Sequence, residues 1–157
     1  MTAPLSLLKD ASLPGRRLSG EMGWFRPAAL LSERNDDPVI EPAWPRADFT
    51  AATLEFLIGL VSMACWERVR DPDAWEDWWH EPPPADELDA AFAPLAGAFV
   101  LDGGGPRFMQ DRDALHGETV PVASLLIDAP GANTLKKNRD LFVRRASVPA
   151  LGRAAAA

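Results

Sequence analysis

The chain is poor in the residues from which most reactive sites are built. It has one cysteine, Cys65, and two histidines, His80 and His116, in 157 residues. A single cysteine forms no intramolecular disulfide. Its setting, Leu60-Val61-Ser62-Met63-Ala64-Cys65, reads as a small buried hydrophobe in a reducing compartment. Long apolar runs are also missing. The longest, Leu54 to Cys65, is broken by Glu55, Gly59 and Ser62 and falls short of the roughly 20 residues a membrane span needs. The opening Met1-Thr2-Ala3-Pro4-Leu5-Ser6-Leu7-Leu8-Lys9-Asp10 has no basic region and no apolar core of leader type. These features predict a cytoplasmic protein with no membrane partner.

Catalytic signatures are equally sparse. Gly103-Gly104-Gly105 lacks the spacing of a dinucleotide fingerprint, and no Lys-Ser/Thr follows as in a phosphate loop, so it reads as a tight turn. Asp77, His80 and Glu81 make a conceivable metal corner, but no second histidine stands at helical spacing. His80 fits better at a helix C-terminus, where a positive charge meets the dipole. The carboxylates are scattered, with no pair set apart for acid–base work. The expectation is a protein that is not an enzyme, with no catalytic residues, no metal and no cofactor.

The distribution of charge is more informative than its total. The net charge of −7 argues against nucleic acid. It is not spread evenly, however. Residues 1–128 hold 10 Lys and Arg against 22 Asp and Glu, while residues 129–157 hold six Lys and Arg against one Asp. Such asymmetry is the mark of an anion-binding segment on an acidic body. Lys136, Lys137, Arg139, Arg144 and Arg145 supply phosphate-neutralising charge. Asn133, Thr134 and Asn138 add hydrogen-bonding groups, and Phe142 is placed to stack on or wedge against a base. A solvated loop that balances an acidic body explains the same composition.

Local signals outline the elements. Residues 5–31, with Pro14-Gly15, Ser19-Gly20 and Gly23, read as strands joined by tight turns. Residues 33–47 read as a loop, with Val39-Ile40 a short strand. A helix capped by Asp48 or Thr50 follows, with Leu54, Leu57, Ile58 and Val61 at i, i+3, i+4, i+7 and further apolar cover from Phe56, Leu60 and Met63. Apolarity nearly all round predicts a buried core helix. Asp71-Pro72 opens a second helix, and Pro82-Pro83-Pro84 ends it. Its Trp75, Trp78 and Trp79 sit among carboxylates that repel phosphate, which favours packing in the core or against a protein. A third helix after Ala85 places Leu88, Phe92 and Leu95 on one face, with Pro94 as its kink or end. Phe99-Val100-Leu101 reads as extended and Val120–Ile127 as a short buried helix. Pro130–Thr134 is turn chemistry. Ala154–Ala157 has helix-forming composition without a stop signal, as in a helix cut by the chain end. The sum is an α+β fold with short N-terminal strands, a buried core helix and further helices. Residues 1–128 form an acidic body, and 129–157 a basic loop segment and helix start in the same domain.

Four ordered blocks resemble a known family. They are Pro121-Val122-Ala123-Ser124-Leu125-Leu126-Ile127-Asp128-Ala129-Pro130-Gly131-Ala132-Asn133-Thr134-Leu135-Lys136-Lys137-Asn138-Arg139 with its continuation to Arg145, Asp37-Pro38-Val39-Ile40 through Trp44-Pro45-Arg46-Ala47-Asp48-Phe49, Leu54-Glu55-Phe56-Leu57-Ile58-Gly59-Leu60, and Gly105-Pro106-Arg107-Phe108-Met109-Gln110-Asp111. Together they resemble CasA, the large subunit of the type I-E CRISPR surveillance complex, Cascade, from about Leu7 to Ala157. One departure stands at the start, where Leu7-Leu8-Lys9-Asp10-Ala11-Ser12-Leu13-Pro14 lacks the Pro-Trp of the family's opening.

The resemblance implies a binding subunit in CRISPR antiviral defence. In the family, this subunit inspects double-stranded DNA for the protospacer-adjacent motif, assists strand separation and offers a docking surface to a helicase–nuclease. The implied partners are other Cascade subunits, the crRNA, target double-stranded DNA and that helicase–nuclease. The region from Asn133 to Arg145 resembles the loop that reaches the motif-proximal duplex and the crRNA 5′ end. The family protein is longer, so the resemblance implies a truncated CasA-like N-terminal domain, with the residues that read the motif beyond Ala157. Two other readings stay open. One is a small protein-interaction module, a truncated homologue that docks on Cascade through its acidic, Trp-rich body. The other is a non-functional fragment.

Overall fold

A computed structural model describes residues 3–32, 37–110, 113, 116–127, 129–139 and 148–157. The chain divides into two compact units, Met1–Gln110 and Asp111–Ala156. As the alternation of turn residues and short apolar segments predicts, the first unit opens on a hairpin. Its strands are β1 (Leu13–Arg17) and β2 (Met22–Phe25), with Gly20 at φ 92° in the turn between them. Only a residue without Cβ enters that region at no steric cost. The expected strand at Val39-Ile40 is β3 (Val39–Pro42), which pairs antiparallel with the other side of β1 to give the order β2-β1-β3. The register places Arg16 opposite Glu41, and their side chains pair at 2.9 Å.

Not all of residues 5–31 is extended. Helix α1 (Pro27–Ser32) follows β2 directly. Proline opens it, at the position where the missing N–H costs nothing. Six residues are too few to display helical periodicity, which explains the strand reading.

Asp37 ties the loop before β3 to the hairpin turn. Its carboxylate accepts the backbone N–H of Ser19 at 2.7 Å and the Ser19 hydroxyl at 2.9 Å. These bonds, with the nearby Arg17, hold its pKa below the ordinary 3.8. The folded state therefore binds its proton less readily than the unfolded chain. The stabilisation is fully present above the ordinary value and is lost as pH falls through the lower folded one. Melting temperatures measured from about pH 5 to about pH 3 should fall less steeply in Asp37→Asn than in the parent chain. Parallel curves for the two proteins would contradict this role.

Helix α2 (Ala47–Ala64) is the long central helix. Neither Asp48 nor Thr50 caps it. Arg46 is the cap residue, in extended conformation, and its side chain makes no cap hydrogen bond, while Asp48 Oδ1 accepts the Phe49 N–H at 3.2 Å from within the first turn. Asp48 sits instead in the first turn, where the helix dipole favours a carboxylate, and pairs with Arg46 at 2.8 Å. That hydrogen bond lowers the Asp48 pKa. The helix also begins well before the apolar run, so its 18 residues, of mean hydropathy 1.4, are long and apolar enough by length and composition to cross a membrane. In the fold one face packs inward through Leu57 and Leu60, with Thr53. The near-complete burial inferred from its apolarity is not observed. Leu54 and Met63 are exposed, and Ile58 is 66% exposed. Apolarity records what a helix is able to bury, while burial requires a neighbour on each side.

Helix α3 (Trp66–Val69) turns the chain into α4 (Pro72–His80). Asp71 caps α4 as expected, with its Oδ1 accepting from the N–H groups of Asp73 and Ala74 at 3.1 and 3.4 Å. Helix α5 (Ala85–Phe92) then runs into a 3-10 segment, Ala93–Ala98, that starts one residue before Pro94.

The core gathers Leu7, Leu8, Ala28, Leu60, Cys65, Leu88, Phe92 and Phe99. Leu88 and Phe92 are buried on one face of α5, as their spacing predicts. Cys65 is buried too, and burial raises its thiol pKa, the condition of an inert packing residue. The N-terminal segment is sewn to the strand-like residues 99–101. Leu7 N–H donates to Phe99 O and Leu101 N–H to Leu5 O, each at 2.9 Å, and Asp102 Oδ1 accepts Leu5 N–H at 2.7 Å. Gly103 and Gly105 follow at φ 105° and 99°, so the triple glycine is a turn.

In the second unit the expected buried helix over Val120–Ile127 is absent. A single 3-10 turn, Val122–Leu125, stands there, with Val120 and Leu125 exposed and Ile127 84% exposed. Helix α6 (Ala132–Lys136) occupies the stretch read as a turn, and a 3-10 turn, Arg153–Ala156, the alanine run. The whole is a three-stranded antiparallel sheet with six α-helices among the described residues, an α+β fold.

Candidate nucleic-acid interface

Three of the five basic residues singled out in the sequence are on or just after α6. The helix is one turn long and begins after Gly131 without a side-chain cap. Asn133, Lys136 and Lys137 stand at i, i+3 and i+4, so they share one helical face, and all three are exposed. Lys136 ends the last turn and Lys137 is the cap residue just past it, where cations complement the dipole. Thr134 is half-buried and contributes less to any outer surface.

The end of α6 has a defined geometry. Asn138 takes φ 48°, in the left-handed region. Its N–H donates to Leu135 O at 3.2 Å, and Arg139 N–H donates to Thr134 O at 3.0 Å. This is the paired 6→1 and 5→2 pattern that closes a helix through a left-handed residue, a place asparagine accepts more readily than most. Asn138 therefore has a backbone task in addition to any contact its amide makes. The turn fixes where Arg139 leaves the helix. Asparagine two residues past the last helical position is the signal that was available for this stop in the sequence.

Arg139 is exposed, like the lysines. Among the described residues, none of these three cations is held in an ion pair. Phe142, Arg144 and Arg145 lie outside the described residues. Exposed cations on a short fixed turn are suited to neutralising a phosphate backbone.

Elsewhere the acidic features sort themselves differently. His80 ends α4 with its Nε2 3.8 Å from Glu76 Oε1, one turn back. Among the described residues no group of three His, Cys, Asp or Glu side chains is disposed to hold a metal ion. Trp78 is half-buried under Arg68, whose guanidinium carbon is 5.7 Å from a Trp78 ring centroid, while Trp75 and Trp79 face outward.

Residues 6–157 match the family described as CRISPR-associated protein Cse1. The chain belongs to the Cse1 family. No curated protein sequence matches it. The match covers the strands and helices of the described residues and the basic stretch, so acidic body and α6 alike are Cse1 sequence. Membership assigns the chain a CRISPR-associated role as a CasA/Cse1-type component of Cascade.

Proposed function

We propose that this Cse1-family chain is a non-catalytic binding component of Cascade whose basic segment contacts target double-stranded DNA next to the protospacer-adjacent motif and the crRNA. The observation that carries the reading is the common face of Asn133, Lys136 and Lys137, with Arg139 fixed just beyond it by the left-handed turn at Asn138. Thr134, Asn138, Phe142, Arg144 and Arg145 are assigned to the same contact from the sequence. The lysines and arginines meet phosphates, and Phe142 and Asn133 position the segment. The acidic body keeps other anionic surfaces away, so that DNA approaches at this segment alone. Other Cascade subunits hold the chain in place, in the cytoplasm, and the helicase–nuclease docks on the assembled complex.

The test is the salt dependence of DNA binding by Cascade assembled with this chain. Each phosphate contact contributes about 0.9 to the slope of log K against log salt. Lys136→Gln, Lys137→Gln and Arg139→Gln together should reduce the slope by about 2 to 3 and weaken all duplex sequences about equally. An unchanged slope, with the complex intact, refutes the assignment.

A further inference from the structure

Helix α4 buries none of its residues, yet it bears three of the six tryptophans. Trp78 turns inward beneath Arg68. Trp75 and Trp79, one turn apart, form an outward ridge, 45% and 67% exposed. Trp66 on α3, the neighbour of α4, is exposed as well. Around the helix Glu76 flanks that ridge, while Asp73 and Asp77 lie toward the far side, and the stretch from Asp71 to Glu81 contains five carboxylates and no Lys or Arg. Exposed tryptophans are costly to leave in water and are the commonest anchors of protein interfaces.

The chemistry around the ridge selects its occupant. A nucleic acid is repelled. A purely apolar partner would strip water from the carboxylates without pairing them. An ammonium pairs with a carboxylate as a compact, strongly hydrated charge. A guanidinium both stacks flat on an indole and pairs with a carboxylate beside it. The same chain uses that combination internally. Arg46 lies 5.4 Å from the Phe49 ring centroid while pairing with Asp48 at 2.8 Å, and Arg68 covers Trp78. We propose that the α3–α4 face is a docking surface for an arginine-bearing segment of another protein, with guanidinium groups stacked on Trp75 and Trp79 and paired to Glu76 beside them. The proposal does not depend on DNA binding at α6.

The test uses the full chain and two synthetic helical peptides, one with three arginines and two leucines on a single face, the other its lysine twin. Titration calorimetry and tryptophan fluorescence should show saturable one-to-one binding, with the arginine peptide about tenfold tighter. Trp75→Ala with Trp79→Ala should lower its affinity about tenfold and abolish the preference for arginine. Glu76→Gln should weaken both peptides and flatten their salt dependence. Circular dichroism checks that these surface variants stay folded. Equal binding of the twins, or binding indifferent to the tryptophan pair, overturns the proposal. Self-association of the chain that the tryptophan pair abolishes would make a second copy the occupant, and overturns it equally.

Discussion

Phe92→Ala should lower the stability of the chain by about 3–5 kcal/mol, among the largest effects of any single truncation here. Phe92 is 1% exposed and the largest of the fully buried side chains. It projects from α5 into the cluster that also holds Leu7, Leu8, Ala28, Leu60 and Leu88. Truncation removes most of its ring from that cluster, and the flanking elements are not free to collapse. On one side Arg26 holds α5 through Asp89 at 3.0 Å, on the other α2 is committed through Leu57 and Leu60. A cavity of about 210 Å³ lined by Leu8, Lys9, Arg26, Asp89, Phe92, Ala93 and Ala96 already adjoins the ring, so the lost volume merges with existing empty space. Denaturant unfolding measures the change directly. The melting temperature should fall by about 6–20 °C. Phe92→Leu, which keeps most of the volume, should lose well under half as much. Equal losses for Ala and Leu would show that the ring's volume is not what the core requires.

The elements that were legible in the sequence are those with strong local chemistry. Asp71-Pro72 and Pro82-Pro83-Pro84 bracket α4 because a cap, a proline at the first turn and a proline stop act within a few residues. Leu88 and Phe92 announced the buried face of α5 by spacing alone. What stayed hidden depends on neighbours far along the chain. The same apolar content placed Leu60 in the core and left Ile58 exposed, because nothing in the described structure packs against the outer face of α2. Val120 to Ile127 misled for the same reason. Helix α1 was missed through shortness, and the α2 cap because Arg46, which has no capping oxygen, takes the cap position and pairs with Asp48 inside the first turn.

The candidate site was legible as composition before it was legible as geometry. The charge split singled out Lys136, Lys137 and Arg139, and the Cse1 match places them in CRISPR-associated sequence. No count of charges reveals that the lysines share a face with Asn133, or that Asn138 turns the chain in the left-handed region. The acidic tryptophans show the converse. Their carboxylates pointed away from nucleic acid in the sequence, and the structure adds that Trp75 and Trp79 are turned outward while Trp78 is not.

Gly15→Val should be nearly as damaging as the loss of Phe92, for the opposite reason. Replacing a strand glycine ordinarily helps, since glycine gives up more freedom on folding and packs nothing. Gly15 is buried in the middle strand of the sheet, and a Cβ there would stand 2.7 Å from Val39 Cγ1, 3.0 Å from Phe25 Cδ2 and 3.2 Å from Leu30 Cδ2. Three sides are closed at once, by β3, by β2 and by α1. Val39 is the nearest, and its β-branched side chain is stiff about χ1, so it has little room to turn aside. Gly15→Ala should cost about 1–3 kcal/mol, the range for overpacking, and Gly15→Val should exceed it, because two further methyl groups meet the same walls. A double-mutant cycle separates this clash from a general weakening of β1. Val39→Ala removes the closest atom, so Gly15→Ala should be markedly less harmful in that background, with a coupling of at least about 0.5 kcal/mol. Additive losses would mean that the glycine is required for some reason other than the approach of Val39.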